Sequence, residues 1–461
     1  MKKILTLLLL TLILFSVACG AESDQPETTD AVKEEAIDLE GAVFLFAPWS
    51  VDAYFPLVAT TDSGDKMLAR YAALEEDYNC SFVPIDTYNE RYNASDIINR
   101  IASGTGIPDL IDREVDAAYS LYKSGVLAAL DDMPAVNLSE QKWGPEFFRQ
   151  HGKFGGLTYG FFPYEWEWMP EIKGIIAVNN LLINQLTMAN PYELQEKGQW
   201  EWNNYKEQLK IGTVTEGENK YVGMIVCNGG DIPVDYMETA AYSNGALMVI
   251  NKDGKAVFGL NTSEAIEGLD YAASLYTEKL AKSATEQNFI NYGSPYYFTR
   301  SYQITSRGEG YMGTILEEYG LMPFPDGPSA PEGNYSSYIS YDRLLYPLSV
   351  SNNNPEDIGK VLNYLFEPLD DKGGWKTMSE RQIFHHKEDY NNFVSMVENC
   401  GYNYQVLLGD MYSKDFKSTI NKVITGKETS AAAMTSLEDA MNVKITEMEI
   451  ITVKQSITVK Q

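Results

Sequence analysis

The stretch PYEWEWMP, residues 163–170, carries the densest chemistry in this chain. Phe161, Phe162, Tyr164, Trp166 and Trp168 surround two acids, Glu165 and Glu167. In an extended backbone alternate residues share a face, so Glu165 and Glu167 fall on one side and Tyr164, Trp166 and Trp168 on the other. Aromatic faces suit the C–H surfaces of a sugar ring, and carboxylates accept its hydroxyl hydrogen bonds. The competing expectation is a segment that only fills a core. A glycan hydrolase needs two carboxylates on opposing walls, about 5–9.5 Å apart. Two acids side by side on one face argue against that chemistry. The WEW at 200–202 is expected to be packing at a helix start.

Other motifs are absent. The chain holds no HExxH, CxxC, Walker loop, GxSxG or GxGxxG. No metal, cofactor or catalytic residue is therefore expected. Once Cys19 is set aside, Cys80, Cys227 and Cys400 remain. An odd count at wide spacing is no disulfide framework, and small buried hydrophobes are expected instead.

The elements that must position these groups follow from periodicity. AVFLFA at 42–47 is a continuous apolar run of buried-strand length. Met67, Tyr71, Leu74 and Tyr78 recur at helical spacing. SFVPI at 81–85 is a second strand, Ser95 caps a helix that ends at Gly104, and IPDLI at 107–111 is a third strand. A helix near 114–124 stops at Gly125. That β-α-β-α-β-α order implies parallel strands with right-handed crossovers. A second region repeats the style, with strands at 174–179 and 221–227 and a helix capped by Thr262 or Ser263. Asn354 and Pro355 start another helix, NKDGK at 251–255 is a hairpin turn, and two helices near 404–425 and 428–448 follow. In open parallel sheets, ligands sit outside the carboxyl ends of the strands. Those ends carry Trp49 after the first strand, and Asp112, Arg113 and Asp116 after the third.

The N-terminus reads separately. Lys2 and Lys3 precede the apolar ILTLLLLTLIL, a secretory signal pattern too short for a spanning helix. Ser16-Val17-Ala18-Cys19 is similar to a bacterial lipobox, with Ser16 where Leu is usual. The expected outcome is lipidation at Cys19, with an ordinary signal peptide cut near Ala18 or Ala21 as the alternative. Residues 22–40 hold eight acids against one lysine. Such a segment is expected to be a flexible tether. The 461-residue chain carries 65 Asp and Glu against 36 Lys and Arg, a net charge of -29. That field disfavours nucleic acid and anionic lipid. Membrane attachment is expected only through the N-terminal lipid.

IASGTGIPDLI, then YKSGVL and LDD at 130–132, resemble extracellular solute-binding proteins of the maltose-binding-protein type, the receptors of bacterial ABC sugar importers. GLTYGFFPYEWEWMPEIKGIIAVNN resembles their first crossover, ELQEKGQWEWNNYKE a helix start, YSNGALMVINKDGK a strand-turn unit, and EEYGLMPFPDGP a return strand. The likeness runs from about 41 to 440. It implies a two-lobed periplasmic-binding-protein-like α/β fold (type II), each lobe a mainly parallel sheet flanked by helices, joined by hinge strands. Crossovers are expected near 160, 311 and 343. The expected division is 1–19 signal and lipobox, 20–40 tether, 41–160 with 312–343 as lobe 1, 161–311 with 344–450 as lobe 2, and 451–461 as tail. The resemblance implies a monomeric receptor that binds a sugar, closes on it, and meets ABC permease subunits. It also places Asp116 where such receptors carry a ligand-binding acid, and Arg113 where some carry an aromatic. Trp49, Arg113, Asp116, Tyr164, Glu165, Trp166 and Trp168 are the expected ligand contacts. The alternatives are a secreted glycan hydrolase, or the same fold holding a peptide or other polar solute.

Overall fold

In a computed structural model, the described residues span 37–448, with breaks at 56–61, 86–93, 105, 167–168, 218–219, 230, 292, 306–318, 333, 335, 340–342, 370–373, 377–382, 385, 403, 405–407 and 409–410. The expected signal, Cys19, nearly all of the tether and the tail lie outside them.

Fourteen strands follow in order along the described chain. They are β1 Ala42–Ala47, β2 Cys80–Pro84, β3 Leu110–Glu114, β4 Lys153–Phe154, β5 Leu157–Thr158, β6 Ile172–Asn179 and β7 Met224–Cys227. Then come β8 Val249–Lys252, β9 Lys255–Phe258, β10 Ala281–Ala284, β11 Tyr296–Arg300, β12 Tyr319–Pro323, β13 Tyr338–Ile339 and β14 Arg343–Pro347. A four-stranded sheet has the order β14-β3-β1-β2, and a larger one β10-β7-β11-β6-β12, with β13 also on β6. β4-β5 and β8-β9 are hairpins.

In the first sheet β1 runs parallel to β2 and β3. One face carries Phe44, Phe46 and Phe82, all buried. The helix Asp62–Tyr78 packs against β2, and its Tyr71 stacks on Phe82 with centroids 5.8 Å apart. The second sheet is mixed. β10, β7 and β11 are mutually parallel, while β6 runs against β11, β12 and β13. The direction of β6 has a physical reason. It brings the chain in from the first lobe, so it enters at the edge where its parallel neighbours end. All eight of its residues are buried, which explains its near-continuous apolar run.

Local signals set many element starts. Thr262 accepts from the Ala265 amide at the head of the helix Ser263–Thr277. Asn354 accepts from the Asp357 amide, with Pro355 in the first turn of Pro355–Leu365. The NKDGK turn joins β8 and β9, with Asp253 and Gly254 at φ 53° and 82°. Trp200 and Trp202 are buried around the start of the helix Trp202–Ile211.

Some expectations need correction. The helix expected from Ser95 begins at Ala94, so Ser95 lies within it. β3 begins three residues later than IPDLI predicts, so Asp112 and Arg113 lie inside the strand rather than after it. The lobe division also differs. β12 and β13 pair with β6 in the second sheet, not the first. β14 pairs antiparallel with β3 in the first sheet. The helix Pro355–Leu365 stays with it, because Arg70 of Asp62–Tyr78 donates to the carbonyls of Tyr364 at 3.0 Å and Pro368 at 3.0 Å. YGLMP and RLLYP are equally long and equally apolar, and each lies antiparallel to the neighbour it joins, β6 or β3. Only the tertiary partner decides between them. Further on, Lys387–Glu398 packs on β12, while Lys417–Ile424 and Ser430–Glu447 pack on the second-lobe helices. The described chain therefore belongs to the first sheet up to Phe161, to the second from Ile172 to Ile339, to the first again from Arg343 to Leu365, and to the second from Lys387 onward.

Candidate functional site

The carboxyl ends of β1 and β3 make one edge of the first sheet. Trp49 follows β1 and is 46% exposed. β14 starts at this same edge, with Arg343 opposite Glu114 and Leu344 opposite Arg113. The Arg343 guanidinium bonds the Glu114 carboxylate and lies over the Trp49 ring, 5.8 Å from its centroid. An arginine fixed by a carboxylate and stacked on an indole keeps a defined plane.

Beneath this pair lie Asp112 and Arg113, both buried. The Arg113 guanidinium donates to the Asp112 carbonyl oxygen. Tyr54 donates to Asp112 Oδ2 at 2.8 Å. Asp112 Oδ1 accepts no bond among the described residues. Burial pushes the Asp112 carboxyl up to about 6, against the pull of Tyr54, Arg343 and Arg113.

The matching edge of the second sheet is where β10, β7 and β11 end and β6 begins. Arg300, the last residue of β11, sits opposite Lys173 of β6. Asp235, in the helix Ile232–Ser243, has no exposed surface. It accepts from Arg300 Nε at 2.6 Å, Lys173 Nζ at 3.3 Å and the Tyr338 hydroxyl at 3.2 Å. Tyr338 also bonds buried Glu238 at 2.9 Å. Burial alone would lower Arg300, but the charge and hydrogen bond of Asp235 win and hold it above its ordinary value. For Lys173 burial wins, and its ammonium is lowered despite Asp235. Tyr302, two residues past β11, is 42% exposed.

The two edges carry residues only four positions apart in the chain. Ile339 pairs with Ile172 in the second sheet, and Arg343 pairs with Glu114 in the first. Four residue steps span at most about 14 Å.

The expected site residues divide. Trp49 is at the first edge, and Arg113 is buried just below it. The side chain of Asp116 lies outside the described residues, as do Glu167 and Trp168. Tyr164, Glu165 and Trp166 are not on an exposed wall. They are 3%, 8% and 1% exposed. The segment bends in a turn at 164–165 instead of running extended, so the alternation of faces does not hold. Tyr164 packs edge-on against Phe148 and Trp375, and Trp166 lies 4.8 Å from the Phe366 ring. Gly374 closes this packing. A Cβ there would come within 2.3 Å of the Glu165 carbonyl oxygen. Burial raises the Glu165 carboxyl, with Lys376 and Gln141 opposing.

Sequence reasoning missed Glu114, Arg343, Lys173, Asp235, Arg300 and Tyr302. A signal existed for two of them. YYFTR is a strand ending in a cation, and the rule that ligands gather at carboxyl ends applies to Arg300 and Tyr302 once that strand is recognised. Cys80, Cys227 and Cys400 are free and buried. Among the described residues no group of His, Cys, Asp and Glu could hold a metal.

No protein-family model matches the chain, and no curated protein matches its sequence. Solved structures do match. The cyclic alpha-maltosyl-1,6-maltose binding protein from Arthrobacter globiformis aligns with a TM-score of 0.64 at 13% identity, covering 88% of this chain and 99% of that one. The GacH receptor of Streptomyces glaucescens GLA.O, solved unliganded and with acarbose, aligns at 0.58 and 14% identity, covering 88% and 99%. UgpB from Mycobacterium tuberculosis, in complex with glycerophosphocholine, aligns at 0.58 and 13% identity, covering 89% and 99%.

Proposed function

We propose that this chain, which has the two-lobed α/β fold of the periplasmic-binding-protein-like receptors, is an extracytoplasmic solute receptor that captures a carbohydrate, an oligosaccharide, between its lobes and delivers it to the permease of an ABC importer. In this reading it is a monomer, tethered to the membrane by lipid on Cys19. The observation that carries the reading is the matched pair of edges. Each carries a half-exposed aromatic residue, Trp49 under Arg343 or Tyr302 two residues past Arg300, and its arginine is held by a carboxylate, Glu114 or Asp235. Rings stack on the C–H faces of sugars, while paired charges supply both donors and acceptors to hydroxyls. Trp49 is the stacking platform of the first lobe, and Asp116 its hydroxyl acceptor. Tyr164, Glu165 and Trp166 support the crossover from behind.

A ligand bound only by the native state raises the apparent stability. Thermal-shift screening with mono- and oligosaccharides, amino acids and short peptides therefore tests the class. A shift with sugars alone supports the reading, and a shift with peptides alone sinks it. Product analysis after incubation with the bound glycan should find it intact. Turnover abolished by one acid-to-amide change would replace the receptor by a hydrolase.

A further inference from the structure

Asp235 is a fully buried carboxylate that gathers a donor from each of three strands. Lys173 belongs to β6, Arg300 to β11 and Tyr338 to β13. Within this network the side chains of Lys173 and Asp235 are 6% and 0% exposed, while that of Arg300 is 27% exposed. Only Nε of Arg300 is engaged among the described residues, by Asp235 Oδ2. Its two terminal nitrogens form the outer edge of a fork whose plane the Asp235 bond fixes.

We infer that Arg300 is the solute-contacting residue of the second lobe, that Asp235 is its positioning residue, and that the contact reads hydroxyl or ring oxygens of a neutral polyhydroxylated solute. This rests on the carbohydrate reading. Location supports contact, because Arg300 ends β11 opposite Lys173, next to the Ile172–Ile339 pair, and Ile339 lies only four residues before Arg343, which bonds Glu114 and lies over Trp49. Charge supports neutrality. Lys173 and Arg300 face two acids, Asp235 and Glu238, so the fork carries no surplus positive charge. A carboxylate or phosphate brought to it would also meet those acids at low dielectric. A hydroxyl meets no such penalty. A guanidinium already oriented by a buried partner loses little freedom on binding, which favours affinity.

The test uses the full chain with glucose, maltose, maltotriose, cellobiose and xylobiose. The sugar that most raises the melting temperature is then titrated by calorimetry beside its monodeoxy analogues. Arg300→Lys keeps the charge beside Asp235 but lacks the fork. It should leave the unliganded melting temperature within a few degrees, weaken binding about tenfold to a hundredfold, and abolish the discrimination against one deoxy analogue. Asp235→Asn should weaken binding in the same pattern. If that variant fails to fold, Arg300→Lys alone decides. Unchanged affinity in Arg300→Lys, or an equal loss for every analogue, would overturn the inference while leaving the carbohydrate reading standing. If none of the five sugars shifts the wild type, the carbohydrate reading fails and takes this inference with it.

Discussion

Arg343 bridges Glu114 and Trp49, bonding the carboxylate of one while lying over the indole of the other, 5.8 Å from the ring centroid. Trp49 is exposed enough that its removal leaves the core untouched. Trp49→Ala should weaken sugar binding about tenfold and change stability by no more than roughly 0.5 kcal/mol. Calorimetry and urea unfolding on one preparation separate the two effects. Equal affinity in the variant would remove Trp49 from the site.

Trp166 should behave in the opposite way. With 1% exposure and its ring against Phe366, it is packing material. Trp166→Ala should cost about 3–5 kcal/mol, read as a lowered urea midpoint. A fully stable variant with lost binding would return Trp166 to the solute.

Asp112 makes stability fall as pH rises. Its carboxyl moves from 3.8 to about 6, chiefly because burial disfavours the charge. A raised folded value means that the native state holds the proton more tightly, so its contribution is complete below about pH 4 and lost as pH climbs through 6. The gap corresponds to roughly 3 kcal/mol. Asp389, buried beside Tyr192, is likewise pushed to about 6, mainly by burial, and acts in the same direction. Asp112→Asn should flatten the melting-temperature profile between pH 4 and 7, recorded by calorimetric scans. An unaltered profile would contradict the assignment.

At the N-terminus, mass spectrometry of the exported protein should find Cys19 as the first residue, carrying a diacylglycerol mass. Any other mature terminus without that mass excludes the anchor.

Much of the fold was legible because its signals are local. Asn354 with Pro355 needs only its own turn to cap a helix, and NKDGK needs only two positive-φ residues to reverse a chain. The 42–47 run is apolar enough to be buried in any context. The site was less legible because its pieces are distant in sequence. Asp235 lies 62 residues from Lys173, 65 from Arg300 and 103 from Tyr338. No spacing rule joins them before the sheet does. The three-residue error at β3 moved Asp112 and Arg113 from a strand end into a strand, which turned expected surface groups into buried ones. PYEWEWMP misled because alternation predicts faces only in extended backbone, and residues 164–165 turn.

The pairing of β14 with β3 also constrains how the protein is made. Arg343 and Glu114 are 229 residues apart. On a chain emerging N-terminus first, β1, β2 and β3 appear long before the strand that covers β3. Until the whole second sheet has followed, β3 offers bare amide and carbonyl groups to any passing strand. Contacts of such separation slow folding. The first sheet is therefore the first to be begun and the last to gain its final strand, and the interval between is when the nascent molecule is most open to mispairing.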